Sequence, residues 1–233
     1  MTQYLVGHRG AAGIAPENTI KAFEKGLDVG ADIVECDIQL SKDEELVVIH
    51  DHTLDRTTNK EGRVKDYTLE ELKQLDAGEG EQIPTLSEVV DTVLQNHKGL
   101  AVEIKGEDFP TARRITEKFT EFIEQRNIGT NLSAISFWFE CLKLLKTKRP
   151  HLQTGILIAQ DVSPDTMLTW AGDVEADILG VAHSYLSHEL VEKIHAHGLA
   201  INAWTLNEDT VFDRMKNMGV DYLSTDYPDR FRV

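Results

Sequence analysis

Short apolar runs rich in β-branched residues alternate with longer segments of helical period along the chain. The runs predict strands at Tyr4–Gly7, Ile33–Leu40, Leu46–His50, Leu100–Lys105, Ser133–Phe137, Thr154–Ile158, Asp177–Ala182, Leu199–Trp204 and Asp221–Thr225. The longer segments predict helices at Asn18–Val29, Leu86–Asn96, Thr111–Gln125, Glu140–Lys148, Pro164–Ala171, His188–Ala196 and Asp209–Met218. Such alternation is typical of a parallel sheet covered by helices.

The number of strands distinguishes a closed barrel from an open sheet. When Leu46–His50 is counted as an extension of the second strand, eight strands remain, the number that closes a (β/α)₈ TIM barrel. The strand starts are regularly spaced except between Ile33 and Leu100, which predicts a small insertion after the second strand, at about residues 51–83. A doubly wound open sheet is the alternative, but its glycine-rich phosphate turn is absent. We therefore expect a single α/β barrel domain over residues 1–233.

Composition narrows the class of partner. Acidic residues outnumber basic ones by 40 to 24, and the net charge of −16 is spread along the chain. Such a charge repels nucleic-acid phosphates and anionic membrane surfaces. We therefore expect that the protein does not bind nucleic acid and does not insert into a membrane. The first residues lack the pattern of a signal peptide, and Cys36 and Cys141 offer no disulfide framework. These features predict a cytoplasmic protein without disulfides, and they leave its oligomeric state open.

Two predicted strands carry charged residues where a barrel strand should be apolar. Glu35 and Asp37 are two residues apart, as are Glu103 and Lys105, so each pair shares one face of its strand. If both pairs point into the barrel, three carboxylates share a small volume, which is costly without partners. An oxygen-ligated cation such as Mg²⁺ or Ca²⁺ would offset that cost. The alternative is that these charges face solvent or pair with nearby Arg and Lys.

Histidines end two of the apolar runs. His8 closes the first strand and is followed by Arg9, and His50 closes the run that begins at Leu46. The carboxyl ends of barrel strands are where active sites lie. Together with the carboxylates, these residues combine acid/base, anion-binding and metal-binding chemistry. Trp204 ends the seventh barrel strand, where it either lines this site or packs in the core.

Nine short motifs, in this order, resemble the glycerophosphodiester phosphodiesterase family. They are His8-Arg9-Gly10, Pro16-Glu17-Asn18-Thr19, Glu35-Cys36-Asp37, His50-Asp51, Leu54-Asp55-Arg56-Thr57-Thr58, Pro84-Thr85-Leu86, Glu103-Ile104-Lys105, Trp204-Thr205-Leu206-Asn207 and Thr225-Asp226-Tyr227-Pro228. The resemblance covers the chain from Tyr4 to Pro228. It implies a TIM barrel with a small insertion after the second strand, and hydrolysis of glycerophosphodiesters to an alcohol and sn-glycerol 3-phosphate.

The resemblance also implies a role for each residue that matches a family motif. The implied ligands of one divalent cation, Mg²⁺ or Ca²⁺ with Mn²⁺ as a further option, are Glu35, Asp37 and Glu103. The implied general acid/base pair is His8 and His50, and the implied substrate contacts are Arg9, Lys105 and Trp204. The expected partner is therefore a small-molecule glycerophosphodiester.

Three other functions remain open at this stage. A lysophospholipase D-type phosphodiesterase would share the motif set, and the tract Phe137-Trp138-Phe139 is more aromatic than the family pattern. A metal-dependent barrel lyase would use the same carboxylates without needing two histidines and an adjacent arginine. A binding barrel without catalysis is the third, and the presence of both His8 and His50 argues against it.

Overall fold

A computed structural model describes residues 2–126, 128 and 131–233, and within these ranges the chain forms nine strands and eight α-helices. The strands are β1 (Tyr4–Gly7), β2 (Ile33–Leu40), β3 (Leu46–Val48), β4 (Gly99–Ile104), β5 (Leu132–Ser136), β6 (Gln153–Ile158), β7 (Ile178–Ala182), β8 (Ala200–Trp204) and β9 (Tyr222–Thr225). The helices are α1 (Ile20–Asp28), α2 (Leu69–Leu72), α3 (Leu86–Leu94), α4 (Phe109–Arg126), α5 (Phe139–Lys148), α6 (Pro164–Asp173), α7 (His188–Ala196) and α8 (Asp209–Asn217). None of the helices in the described ranges has the length and apolar character that a bilayer span requires.

Eight of the strands form a closed parallel barrel. Their order around the barrel is β1, β2, β4, β5, β6, β7, β8 and β9, and β9 pairs with β1 to close it. Helices lie between successive barrel strands. The predicted (β/α)₈ TIM barrel is thus confirmed, and the open sheet is excluded because β1 is paired on both of its edges.

The strand that does not belong to the barrel is β3, and it does not extend β2 in the same direction. It reverses and pairs antiparallel with the end of β2, with Ile38 opposite Val48 and Leu40 opposite Leu46. The reversal uses Glu44 in the left-handed region at φ 62°, a conformation that sequence pattern alone does not reveal. The segment that follows β3 packs on a small apolar cluster of its own, made of Val47, Ile49, Leu54, Val64, Leu72, Ala77 and Ile83.

Residue alternation along β2 separates the core from the site. Val34, Cys36 and Ile38 point to the helix layer, where they are fully buried in one cluster with Phe23 of α1. Burial raises the pKa of the Cys36 thiol well above its ordinary value, which makes the thiol unreactive. Because successive side chains of a strand point to opposite faces, the intervening Glu35 and Asp37 face the barrel interior. The hydrophobic pattern that builds the helix layer therefore also aims the carboxylates inward.

Candidate active site

Three buried carboxylates lie on β2 and β4, on the side of these strands that faces the barrel interior. Asp37 is directly opposite Glu103 in the strand register, and Glu35 precedes Asp37 by two residues on the same face. One oxygen from each carboxylate lies within 4.8 Å of the other two. Glu35 is 5 % exposed, Asp37 1 % and Glu103 8 %. Among the described residues, Glu35 Oε1 and Asp37 Oδ1 have no hydrogen-bond partner. Such unpartnered, converging oxygens fit a hard divalent cation.

The pKa values of these carboxylates differ because their neighbours differ. Burial, reinforced by the charge of Asp37, raises the pKa of Glu35 to about 8. Burial also raises the pKa of Glu103 to about 7, although the Lys105 ammonium opposes this. The pKa of Asp37 is lowered despite burial, because Lys105, His50 and Arg9 favour its charge. The cluster therefore resists holding three negative charges at neutral pH unless a cation compensates them.

Each of the two candidate histidines is oriented by a carboxylate. His8 Nδ1 lies 2.6 Å from Asp226 Oδ1, and His50 Nδ1 lies 2.6 Å from Asp51 Oδ1. Since an ionised carboxylate only accepts hydrogen bonds, each histidine carries a proton on Nδ1, and Nε2 is the nitrogen available for chemistry. His8 Nε2 lies 4.0 Å from Glu35 Oε2, next to the acidic cluster.

The surroundings shift the two histidine pKa values in opposite directions. Burial lowers the pKa of His8, but the hydrogen bond to Asp226 and the charge of Glu35 outweigh burial and raise it overall. For His50, burial dominates and lowers the pKa, assisted by the charge of Lys105. Opposite shifts suit an acid/base pair, in which one group must hold a proton while the other accepts one.

Two cations lie beside the carboxylates. The Arg9 backbone N–H donates to Glu35 Oε2 at 2.9 Å, and the Arg9 side chain donates to Glu17 Oε1 at 2.8 Å. Arg9 has a left-handed φ of 49°, which turns the chain sharply after β1. Lys105 Nζ donates to Glu103 Oε1 at 2.8 Å. Glu17 therefore holds the Arg9 side chain, and Glu103 holds Lys105, so that both cations lie next to the acidic cluster.

A cavity of about 110 Å³ opens above these groups. Its polar side is formed by residues on or next to β1, β2 and β4, and includes His8 and Lys105. Its apolar lining includes Leu157 of β6 and Trp204 of β8, and the uncharged polar residues Asn202, Thr205 and Ser224 also line it. The Trp204 ring meets the ring of Phe137 edge to face, with centroids 5.8 Å apart.

The structure brings the sequence-derived candidates together. Seven of them line the cavity, and they are His8, Arg9, Glu35, His50, Glu103, Lys105 and Trp204. Asp37 completes the acidic cluster with Glu35 and Glu103.

Sequence reasoning missed the residues that hold this constellation in place. Asp226 and Asp51 orient the histidines, and Asn18 donates from Nδ2 to Asp37 Oδ2 at 2.8 Å. Arg56 donates to both Asp51 and Glu17, at 2.6 and 2.7 Å. A signal was present for all four residues, since each lies in one of the nine motifs, and the two aspartates have a second signal. Asp51 directly follows His50, and Asp226 follows the last strand, which closes the barrel beside the first.

The comparison with protein families decides the assignment. A model of the glycerophosphoryl diester phosphodiesterase family matches residues 8–230. The chain belongs to this family. Family membership confirms the resemblance of the nine motifs and identifies the chain as an enzyme of the phosphodiesterase class.

Individual relatives support the family assignment over at least 95 % of their length. A glycerophosphodiester phosphodiesterase of Caldanaerobacter subterraneus subsp. tengcongensis is 39 % identical over 98 % of this chain and 96 % of the relative. One from Bacillus altitudinis is 37 % identical over 97 % and 95 %. An Oleispira antarctica phosphodiesterase, solved in complex with the product sn-glycerol 3-phosphate, superposes with a TM-score of 0.91 at 29 % identity, covering 98 % of this chain and 95 % of that one.

Proposed function

We propose that this enzyme hydrolyses glycerophosphodiesters to an alcohol and sn-glycerol 3-phosphate, with His8 and His50 as its proton-transfer pair. The observation that carries the proposal is the pairing of two carboxylate-held histidines with one buried cluster of three carboxylates. Family membership supports the substrate class, as does the product bound to the Oleispira antarctica relative. A barrel lyase would leave the second histidine without a role.

Glu35, Asp37 and Glu103 would hold one divalent cation. Their unpartnered oxygens and the all-oxygen donor set favour Mg²⁺ or Ca²⁺, with Mn²⁺ as a further option. When bound, such an ion supplies positive charge for a phosphoryl oxygen. It would also allow all three carboxylates to be ionised together at neutral pH.

The remaining residues would bind the diester phosphate and exclude water from it. Lys105 and Arg9 provide positive charge at the polar side of the cavity, which matters because the whole chain repels anions. Preorganised cations of this kind stabilise the charge that develops on phosphorus-bound oxygens. Trp204 also lines the cavity and would keep the leaving alcohol away from bulk water.

The glycerol 2-hydroxyl is the nucleophile that we propose. Its oxygen forms a bond to phosphorus as the bond from phosphorus to the alcohol oxygen breaks. One histidine takes the hydroxyl proton at Nε2, and the other gives a proton from Nε2 to the departing alcohol. Water then opens the five-membered cyclic phosphate, leaving sn-glycerol 3-phosphate. Attack from within the substrate carries a large effective-concentration advantage over attack by free water.

A substrate analogue that lacks the 2-hydroxyl tests this proposal. A panel of glycerophosphodiesters is assayed first for release of glycerol 3-phosphate, with and without EDTA. The 2-deoxy analogue should then inhibit without turning over, and a cyclic phosphate should be visible by phosphorus NMR after quenching. Equal hydrolysis of the analogue and the normal diester would contradict nucleophilic attack by the hydroxyl. Full turnover after verified metal removal would contradict the metal site.

A further inference from the structure

An apolar groove adjoins the catalytic cavity at the carboxyl-terminal rim of the barrel. It has a volume of about 250 Å³ and lies beside the loops that follow β5 and β6. Its walls are mainly Phe137, Phe139, Leu157, Ile158 and Trp170, and we call it the aromatic groove. Of the described residues that line it, none is charged, although the chain carries a net charge of −16. An uncharged concave surface of this kind suits an apolar ligand.

The aromatic groove borders the catalytic cavity. Phe137 and Leu157 line both, so these two side chains form the common edge of the cavity and the groove. Phe137 is 44 % exposed, a large fraction for a phenylalanine. Its exposure is explained if a ligand covers it during the reaction.

Hydrogen bonds fix the loop that presents Phe137. The backbone N–H of Trp138 donates to Ser136 Oγ at 3.0 Å, and the Trp138 indole N–H donates to the carbonyl of Gly106 at 3.0 Å. Farther along the groove, the rings of Phe139 and Trp170 pack together with centroids 5.5 Å apart. A preformed wall of this kind loses little conformational freedom when it binds a ligand.

We infer that the aromatic groove binds the apolar part of the alcohol, so that this enzyme prefers glycerophosphodiesters whose leaving alcohol carries an alkyl or aryl group. The inference rests on the proposed function. The polar side of the cavity, with His8 and Lys105, suits the phosphate and the glycerol hydroxyls. The apolar residues Phe137 and Leu157 of the cavity lining are shared with the groove. A quaternary ammonium also binds aromatic rings, but the described groove lining offers no carboxylate to balance its charge.

A series of synthetic diesters tests the substrate preference. Hydrolysis of the ethyl, butyl and hexyl esters of glycerol 3-phosphate should show kcat/KM rising by up to about fourfold for each methylene that enters the groove. Glycerophosphocholine should be hydrolysed more slowly than its neutral isostere, in which carbon replaces the charged nitrogen. A flat chain-length series, or a preference for choline over the isostere, would overturn the inference.

Variants locate the effect in the groove. Trp170 and Phe139 line the groove but not the catalytic cavity. Trp170→Ala and Phe139→Ala should therefore each lower the ratio of kcat/KM for the hexyl ester to kcat/KM for the ethyl ester. Ala159→Asp places a carboxylate at an exposed groove position, so it should lower the same ratio and favour choline. Leu144→Ala, at an exposed apolar position of α5 outside the groove, is the control. An unchanged ratio in all three groove variants would refute the assignment.

Calorimetric titration with monoalkyl phosphates separates this inference from the proposed function, because binding needs no turnover. The Kd should fall from ethyl to hexyl phosphate in the unmodified enzyme, and Trp170→Ala should reduce that dependence. If no diester is hydrolysed but the dependence is present, the proposed function fails and the groove assignment stands. If diesters are hydrolysed with no dependence on chain length in either assay, the groove assignment fails alone.

Discussion

The metal-free enzyme should lose stability as pH rises from about 5 to about 8, and the substitution Glu35→Gln should suppress much of that loss. The pKa of Glu35 is raised to about 8 by burial and by the charge of Asp37. Between its ordinary pKa and this raised value, the folded protein binds more protons than the unfolded chain. The contribution of Glu35 to the free energy of unfolding is therefore fully present at low pH, and it decreases as pH increases through this window.

The structure gives the size of the effect for Glu35. Its pKa rises from 4.5 to about 8, and each pKa unit corresponds to about 1.36 kcal/mol, so full ionisation costs about 5 kcal/mol of unfolding free energy. That is comparable with the whole stability of a marginal domain, about 5–15 kcal/mol. Glutamine has nearly the same shape as glutamate and does not ionise. Its side-chain oxygen can still accept the 2.9 Å hydrogen bond that the Arg9 N–H donates.

Urea denaturation in EDTA, followed by circular dichroism from pH 5 to pH 8, measures the difference directly. The unfolding free energies of the unmodified enzyme and Glu35→Gln should be similar at pH 5 and separate by several kcal/mol at pH 8, with the variant more stable. Glu24→Gln, at an exposed position of α1, is the control and should follow the unmodified enzyme. Adding Mg²⁺ or Ca²⁺ should stabilise the unmodified enzyme more than Glu35→Gln. Parallel pH profiles for the unmodified enzyme and Glu35→Gln would refute the electrostatic reasoning.

Three further predictions concern the proton-transfer groups, each checked by kcat and KM on a glycerophosphodiester. Asp226→Asn should lower kcat by about 10²–10⁴-fold with little change in KM, because an amide can favour the wrong His8 tautomer. Arg56→Gln should lower kcat by about tenfold through loss of its two bonds to Asp51, and Arg56→Lys should restore only part of that loss. His50→Ala should lower kcat by about 10²–10⁴-fold. An unchanged kcat in any of the three would contradict the role given to that residue.

Much of the fold could be predicted because one physical rule governs most of the chain. In a parallel barrel both faces of each strand are covered, so strands such as Ile178–Ala182 show up as short apolar runs between amphipathic helices. The direction of β3 could not be predicted in the same way. Its apolar residues fit a strand that continues β2 equally well, and the choice depends on the backbone conformation of Glu44. Which strand β3 pairs with, and in which direction, depends on how the chain folds and cannot be predicted from its local residue pattern.

The carboxylates of the site were easier to predict from the sequence than the residues that hold them and the histidines in place. Glu35, Asp37 and Glu103 violate the burial rule for strands, so the violation itself identifies them. Residues such as Asn18 and Arg56 violate no rule, since polar residues are ordinary in loops. Their role becomes visible only when the fold places Asn18 at 2.8 Å from Asp37 and Arg56 at 2.6 Å from Asp51. Long-range contacts of this type follow from the closed barrel and from no local pattern.

The segment after β3 brings His50 and Asp51 to the site and holds them there through one arginine. Arg56 belongs to that segment and donates from Nε to Asp51 Oδ2 at 2.6 Å, while Asp51 holds His50. Arg56 also donates from Nη1 to Glu17 Oε2 at 2.7 Å, and Glu17 accepts from Arg9. Because fixed opposite charges hold each other in place, a displacement of the segment would move the carboxylate that orients His50. We therefore propose that the small apolar cluster beneath the segment supports catalysis as well as stability, by keeping Arg56 within reach of both carboxylates.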